Sequence, residues 1–251
     1  MCLINNSRKN TKGFTLIEIS IVLLIVSILL GYTIALYPVQ QELKKYRVAH
    51  EEMDGIIEAI YAYAQVNGRL PCAASLSEPN GIADPDNGKA CNSWYGFLPA
   101  KTLGIDGRYD ASNSLLDPWG NRYRYQVTSY GRSSGGDFVI TDGLKMATIS
   151  NLSPDLEICM GVPTHGPKDC GNAAKTVADG IPAVVLSLGK DGAITSAVSN
   201  IQLENIDNNV ADTVFIKATH SDVEGAEFDD IIKWVAPNIL YSKMIEAGKL
   251  P

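Results

Sequence analysis

Cysteines are the residues of this sequence with the clearest capacity for chemistry: Cys2, Cys72, Cys91, Cys159 and Cys170. Cys2 precedes a long apolar run, whereas the other four follow it and are even in number. Their spacing contains no C-x-x-C pair of the kind that binds zinc. Three disulfide connectivities are possible, and we prefer sequential pairing because it closes short loops. Disulfides would indicate an oxidising compartment, and four reduced, buried thiols are the alternative.

Catalytic chemistry has little support in the sequence. Residues 131–135 match the G-x-S-x-G pattern of hydrolases, but that elbow needs a strand before it and a helix after it. Here a glycine-rich turn leads into a predicted strand at 137–141. No paired acid and base, and no nucleophile beside a base, stands out, so we predict that the chain is not an enzyme. None of the three histidines has a second ligand at a metal-binding spacing. These histidines are His50, His165 and His220.

An acid inside an apolar segment is the most informative single residue. Residues 19–37 are apolar or small except for a few hydroxyl side chains, and Glu18 lies within the longer apolar stretch that begins at Phe14. As a helix, this stretch would cross a bilayer core of about 30 Å. A carboxylate there is costly unless it gains a partner, so it marks function by default. A secretory signal peptide fits poorly, because the run is long and no small-x-small cleavage site follows it.

A proline and an amphipathic helix are predicted to connect this apolar segment to the rest of the chain. Pro38 is expected to kink or break the first helical stretch. Residues 39–66 then have apolar side chains at three- and four-residue spacing, which predicts an amphipathic helix ending near Asn67 and Gly68. The apolar positions are Leu43, Tyr46, Met53, Ile56, Ile57, Ile60 and Ala64.

The charge distribution indicates which side of a membrane each part occupies. The chain has 21 basic and 28 acidic residues, and Arg8, Lys9 and Lys12 precede the apolar run without any acid. The positive-inside rule therefore keeps residues 1–13 in the cytoplasm and exports the remainder. Because that remainder is acidic, we expect no nucleic acid as a partner.

The run Lys12-Gly13-Phe14-Thr15-Leu16-Ile17-Glu18 resembles the signal of type IV prepilins and type II secretion pseudopilins. The resemblance implies that prepilin peptidase cleaves between Gly13 and Phe14 and that Phe14 is then N-methylated. It also implies that Glu18 neutralises the free amine of a neighbouring subunit's Phe14 in the core of a helical fibre. Other pilin or pseudopilin subunits and an inner-membrane assembly platform would be the partners.

The fold class expected is α+β, with a long N-terminal helix packed on an antiparallel sheet and a helical segment at the C-terminus. Residues 1–13 would be a cleaved leader and residues 14–66 the assembly helix, with 14–37 spanning the membrane once. Residues 67–251 would form a head in the bacterial periplasm until the subunit enters a fibre. Residues 73–93 are expected to be a loop between two cysteines, and the calcium-like run 84–88 within it is interpreted as a plain turn.

Two runs in the head resemble the major type II pseudopilin. The run from Asp117 to Tyr125, with Pro118, Trp119 and Gly120, resembles a turn and strand of that protein, and Trp119 is expected to plug the head against the helix. The run 187–192 resembles the S-L-G-x-D-G loop that opens its calcium site. The resemblance therefore implies calcium as a cofactor, bound by Leu188, Asp191, Asp229 and Asp230.

Alternatives to that calcium site remain open. Nearly forty residues separate the two halves, where the family has only a few, and Asp207 and Asp212 are rival ligands. Asp229 and Asp230 would otherwise stabilise the start of a helix predicted at 229–247, within which Pro237 would begin a second short helix.

The function expected is that of a structural subunit of a type IV pilus or a type II secretion pseudopilus. A minor subunit is favoured, because the processed chain would be longer than common major subunits. The alternative is a pilin-like adhesin, or a minor pilin whose enlarged head binds a ligand or DNA.

Overall fold

The computed structural model describes residues 13–131, 136–146, 151–161, 170–171, 175–192, 200–206, 212–223 and 227–250, with the side chains of 32–36 left aside. The helices are α1 (Leu16–Asn67), α2 (Ala100–Leu103), α3 (Gly143–Met146), α4 (Asn200–Ile206) and α5 (Pro237–Glu246). The strands are β1 (Tyr95–Phe97), β2 (Arg124–Val127), β3 (Leu156–Cys159), β4 (Thr176–Ile181), β5 (Ala183–Ser187), β6 (Val214–Ile216) and β7 (Ile231–Trp234). The chain divides into two compact units, residues 1–45 and 46–251, and we refer to residues 46–251 as the head.

The prediction of an α+β fold is confirmed. The head contains an antiparallel sheet in the order β1-β2-β5-β7, and a C-terminal helix follows the last strand. A second sheet, in the order β4-β3-β6, was not expected from the sequence. It is mixed, because β3 pairs parallel with β6 and antiparallel with β4.

Within the head, the second half of α1 supplies one wall of the main core. Its buried side chains recur every three or four residues, as the amphipathic pattern predicted, and they include Met53, Ile56, Ile60 and Ala64. They pack with buried residues of the four-stranded sheet such as Tyr125. Leu43, by contrast, is exposed and belongs to the other unit.

Three secondary-structure predictions are wrong. The break predicted at Pro38 is absent, because α1 continues through it from Leu16 to Asn67; a kink at Pro38 stays a prediction. One proline removes a single backbone donor, and the long flanking turns sustain the helix. Residues 231–234 form an edge strand instead of the start of a helix, because Ile231 and Ile232 are both buried on opposite faces of the sheet. Residues 137–141 form turns and not a strand. The helix beginning at Pro237 is as predicted.

Candidate functional site

The start of α1 is built by a reciprocal pair of side chains. The hydroxyl oxygen of Thr15 accepts a hydrogen bond from the backbone N–H of Glu18 at 3.3 Å. The Glu18 carboxylate in turn accepts one from the backbone N–H of Thr15, also at 3.3 Å. This is a capping box, which satisfies two of the otherwise unpaired donors at a helix N-terminus. Glu18 therefore already has a partner within its own subunit, and the Thr15-x-x-Glu18 spacing could have indicated it.

The first turns of α1 present apolar side chains in every direction. Each large apolar residue from Phe14 to Leu30 is at least 43% exposed, including Leu16 at 90%. A helix that is apolar on all sides is stable in water only when something covers it. Among the described residues, no helical stretch reaches the combination of length and hydropathy required of a membrane span. The basic leader and Cys2 lie outside the described residues.

Two disulfides cross-link segments of the head. Cys72 bonds to Cys91 and encloses the loop predicted at 73–93, while Cys159 at the end of β3 bonds to Cys170. These are the sequential pairs preferred from the spacing. Each bond reduces the conformational freedom of the unfolded chain and stabilises by roughly 2–4 kcal/mol.

Asp117 organises the turn that precedes β2. One carboxylate oxygen accepts hydrogen bonds of 2.8–3.0 Å from the backbone N–H groups of Trp119, Gly120 and Asn121. The other oxygen accepts a hydrogen bond of 2.7 Å from the hydroxyl of Ser187, the last residue of β5. The side chain is almost fully buried, and burial raises its pKa, while these hydrogen bonds act in the opposite direction. Asp117 thus joins the two runs that resemble the pseudopilin.

Trp119 contacts the helix as expected. Its ring lies 4.9 Å from that of Tyr46 in an edge-to-face arrangement. Such pairs contribute about 0.5–1.5 kcal/mol beyond the area that they bury. Tyr46 also contacts His220, whose Nδ1 lies 2.8 Å from the tyrosine hydroxyl. His220 therefore has a partner that the sequence did not reveal, whereas His165 lies outside the described residues.

The proposed calcium ligands are brought together in part. Asp229 accepts hydrogen bonds from the backbone N–H groups of Lys190 and Asp191, so the two distant segments do meet. Gly189 makes this contact possible: its φ is +62°, and an added Cβ would lie 2.5 Å from Asp229. Leu188, which precedes Gly189, is buried in a second core cluster that also contains Leu156 and Ile158.

Amide side chains from α4 hold the three acids. Gln202 donates to Asp191 at 3.1 Å and to Asp229 at 2.7 Å, and Asn205 donates to Asp230 at 2.7 Å. Burial, followed by the neighbouring Asp191, raises the pKa of Asp229 to about 7. Burial, followed by the charges of Asp229 and Asp191, raises the pKa of Asp230 to about 8, although the Asn205 hydrogen bond opposes this. Neither amide carried a signal in the sequence.

The oxygen atoms of these side chains are of the kind that binds a hard cation, but their positions in this structure do not form a coordination site. Carboxylate, carbonyl and amide oxygens are the ligands that calcium prefers. Gln202, however, directs its NH₂ group between two carboxylates, so an ion there would require this amide to turn. The three acids do not bring their oxygens within 4.8 Å of one another, and the described residues that meet this criterion are Glu157, Cys159 and Cys170. That group is not a metal site, because its two sulfurs form a disulfide.

Among the described residues, the remaining candidates form no catalytic arrangement. The G-x-S-x-G serine and its neighbours, residues 132–135, lie outside them, as does the rival ligand Asp207. The carboxylate of Asp212 accepts a hydrogen bond from the backbone N–H of Val214. The acids of the calcium-like turn, Asp84 and Asp86, contact Asn92 and Arg69.

Comparison with known proteins supports the N-terminal segment alone. No curated protein and no solved structure matches the chain. A family described as "Prokaryotic N-terminal methylation motif" matches residues 8–34, which contain the Gly13–Phe14 junction, the capping box and the exposed apolar turns. The chain therefore carries the prepilin signal of type IV pilin-like proteins at its N-terminus.

Proposed function

We propose that this chain is a minor structural subunit of a type IV pilus or a type II secretion pseudopilus. Prepilin peptidase cleaves it between Gly13 and Phe14 and methylates Phe14. Until assembly, residues 14–37 cross the bacterial inner membrane once and the disulfide-bonded head lies in the periplasm. An assembly platform in the same membrane then transfers the subunit into the fibre.

The observation that carries this proposal is the uncovered apolar start of α1 directly behind a prepilin signal. An apolar helix of this kind needs lipid around it before assembly and other helices around it afterwards. Cleavage before the apolar run leaves the helix attached to the head, which serves both states. The two disulfides agree with a head in an oxidising compartment.

Glu18 supports the assembly step through its charge. In a fibre core of low dielectric constant, a carboxylate beside a neighbour's amine is stabilised far more than at a surface, and the pair sets the axial register. The capping box orients Glu18 before assembly and leaves the second oxygen of the carboxylate for that partner.

Calcium is part of the proposal for the head. Asp191, Asp229 and Asp230 would supply carboxylate oxygens and Leu188 its carbonyl oxygen. The ion would offset the burial and, after it, the mutual repulsion that raise the pKa of Asp229 and Asp230.

Co-purification tests the proposed function. The tagged full-length protein, extracted from membranes with mild detergent, is expected to bring down other proteins with prepilin signals. The control is residues 40–251, which lack the assembly segment and should recover none of them. Recovery of the same partners by the control, or of no pilin-like partner by the full chain, would contradict the proposal.

A further inference from the structure

No described strand pairs with the outer side of β7, which is the edge of the four-stranded sheet. Val235 donates its backbone N–H to Ala183 at 2.9 Å, which sets the alternation of the β5–β7 ladder. Residues 231 and 233 therefore bond to β5, while the N–H and C=O groups of Ile232 and Trp234 point away from it. No hydrogen bond among the described residues uses the N–H of Ile232 or Trp234. The N–H and C=O groups of two residues, Ile232 and Trp234, which are separated by Lys233, thus face outward.

A groove of about 460 Å³ runs along this edge. Its far wall is the irregular segment 217–220, which follows β6 of the second sheet, and α1 closes one side through Tyr46 and His50. Lys217 bonds through its N–H to Cys159 on β3, away from β7. The groove thus lies between β7 and the segment that follows β6, and in the described part of the chain these two share no backbone hydrogen bond.

Two lysines and two histidines line the groove, together with two aspartates, although the chain as a whole has a net charge of −7. Lys217 lies 5.0 Å from the ring of Trp234 and forms no ion pair with any described residue. Lys233 is paired with Asp54 at 2.7 Å, on the solvent-exposed side. Burial lowers the pKa of His50, and the nearby charge of Lys233 adds to this effect.

The acids that line the groove direct their carboxylates elsewhere. Asp229 bonds to the 189–191 loop and to Gln202, and Asp230 bonds to Asn205. They therefore leave Lys217 without a described carboxylate partner. A ligand with its own carboxylate would supply one next to the uncovered backbone groups.

We propose that this groove binds an extended, acidic segment of another polypeptide. The segment adds a strand to β7 through the backbone groups of Ile232 and Trp234, and it places a carboxylate against Lys217. Strand addition satisfies donors and acceptors that an open edge otherwise leaves to water. A small anion would satisfy the lysine alone, whereas an extended chain matches both the lysine and the spacing of the outward backbone groups.

The test uses the full chain in detergent micelles and a blocked seven-residue peptide that alternates glutamate and valine. Calorimetry should detect binding, and hydrogen exchange of the Ile232 and Trp234 amides should slow by about tenfold or more at saturation. A peptide that alternates lysine and valine should not bind. The glutamate peptide with N-methylated backbone amides should also fail, because it keeps the charge but cannot pair as a strand.

Two variants separate the groove from general electrostatics. Lys217→Glu should weaken binding of the glutamate peptide by about tenfold or more, whereas Lys89→Glu, at an exposed lysine outside the groove, should leave it unchanged. Absence of binding by the glutamate peptide would overturn the proposal. Equal binding by the N-methylated peptide, or binding without protection of the two amides, would overturn it as well.

Discussion

The hydroxyl of Ser187 donates a hydrogen bond of 2.7 Å to the buried carboxylate of Asp117. This contact joins the turn before β2 to the end of β5, and the same carboxylate holds three backbone N–H groups of the turn. It lies where the strand leads into the Gly189 loop that approaches Asp229. The two runs that resemble pseudopilin motifs are therefore one hydrogen-bonded unit in the head.

Asp117→Ala should destabilise the head by about 2–4 kcal/mol, because several buried donors lose their acceptor together. Asp117→Asn should cost less than about 1.5 kcal/mol, since its amide oxygen retains the backbone bonds and its NH₂ can donate to Ser187. Urea unfolding of the soluble fragment 40–251, which contains the head, measures both. Equal losses for Ala and Asn would show that charge, and not hydrogen bonding, matters at this position.

Glu18→Gln should leave membrane insertion intact and impair incorporation into fibres. Glutamine preserves the capping box with Thr15 but removes the charge that a neighbour's amine would meet. Glu18→Ala removes both and should perform no better than Gln. Thr15→Val is the matched control, because it removes the Thr15 half of the cap and keeps the acid. Incorporation is measured as the fraction of subunit recovered in sheared fibres, and wild-type levels for Glu18→Gln would refute the charge-pair account.

The mature protein should begin at Phe14 with a methylated amine when prepilin peptidase is present. Mass spectrometry of the N-terminal peptide measures both changes. In cells without the peptidase, the protein should retain residues 1–13 and stay in the membrane fraction. An N-terminus at Met1, or at any residue after Phe14, in normal cells would contradict this.

The metal-free head should lose stability as pH rises from about 4 to about 8. The raised pKa values of Asp229 and Asp230 mean that the native state holds protons that the unfolded chain has already released. The free energy of unfolding therefore falls as pH rises across this window. Asp229→Asn should make the decline shallower, because burial still raises the pKa of Asp230, whereas Asp106→Asn, at an exposed loop acid, should leave the profile unchanged. A wild-type profile that is flat or rises with pH would contradict the burial of these acids.

Calcium should reverse that loss. At a concentration about 100 times its dissociation constant, the ion would add about 2.7 kcal/mol and raise the melting temperature by roughly 5–10 °C. Chelation should undo the change, and Asp191→Asn should abolish it while leaving the metal-free protein folded. Magnesium, which demands a stricter octahedral geometry, should have little effect. An unchanged melting temperature with and without chelator would remove calcium from the proposal.

Features with a local physical cause could be predicted from the sequence. The apolar run, the basic leader and the Gly13–Phe14 junction occupy consecutive positions, so their meaning does not depend on distant contacts. The three- and four-residue spacing of Met53, Ile56 and Ile60 likewise determines the buried face of α1. Short separations between cysteines made sequential pairing the simplest choice.

The tertiary structure alone decided what depends on contacts between distant segments. Residues 231–234 were mistaken for helix because a short apolar run has the same composition in a buried strand, and only pairing with β5 distinguishes the two. Gln202 and Asn205 carry no motif, yet the fold places them against three acids. The position of Lys217 beside Trp234, and the outer side of β7 with which no described strand pairs, depend on how the segment after β6 lies against β7, and no local pattern of residues encodes that.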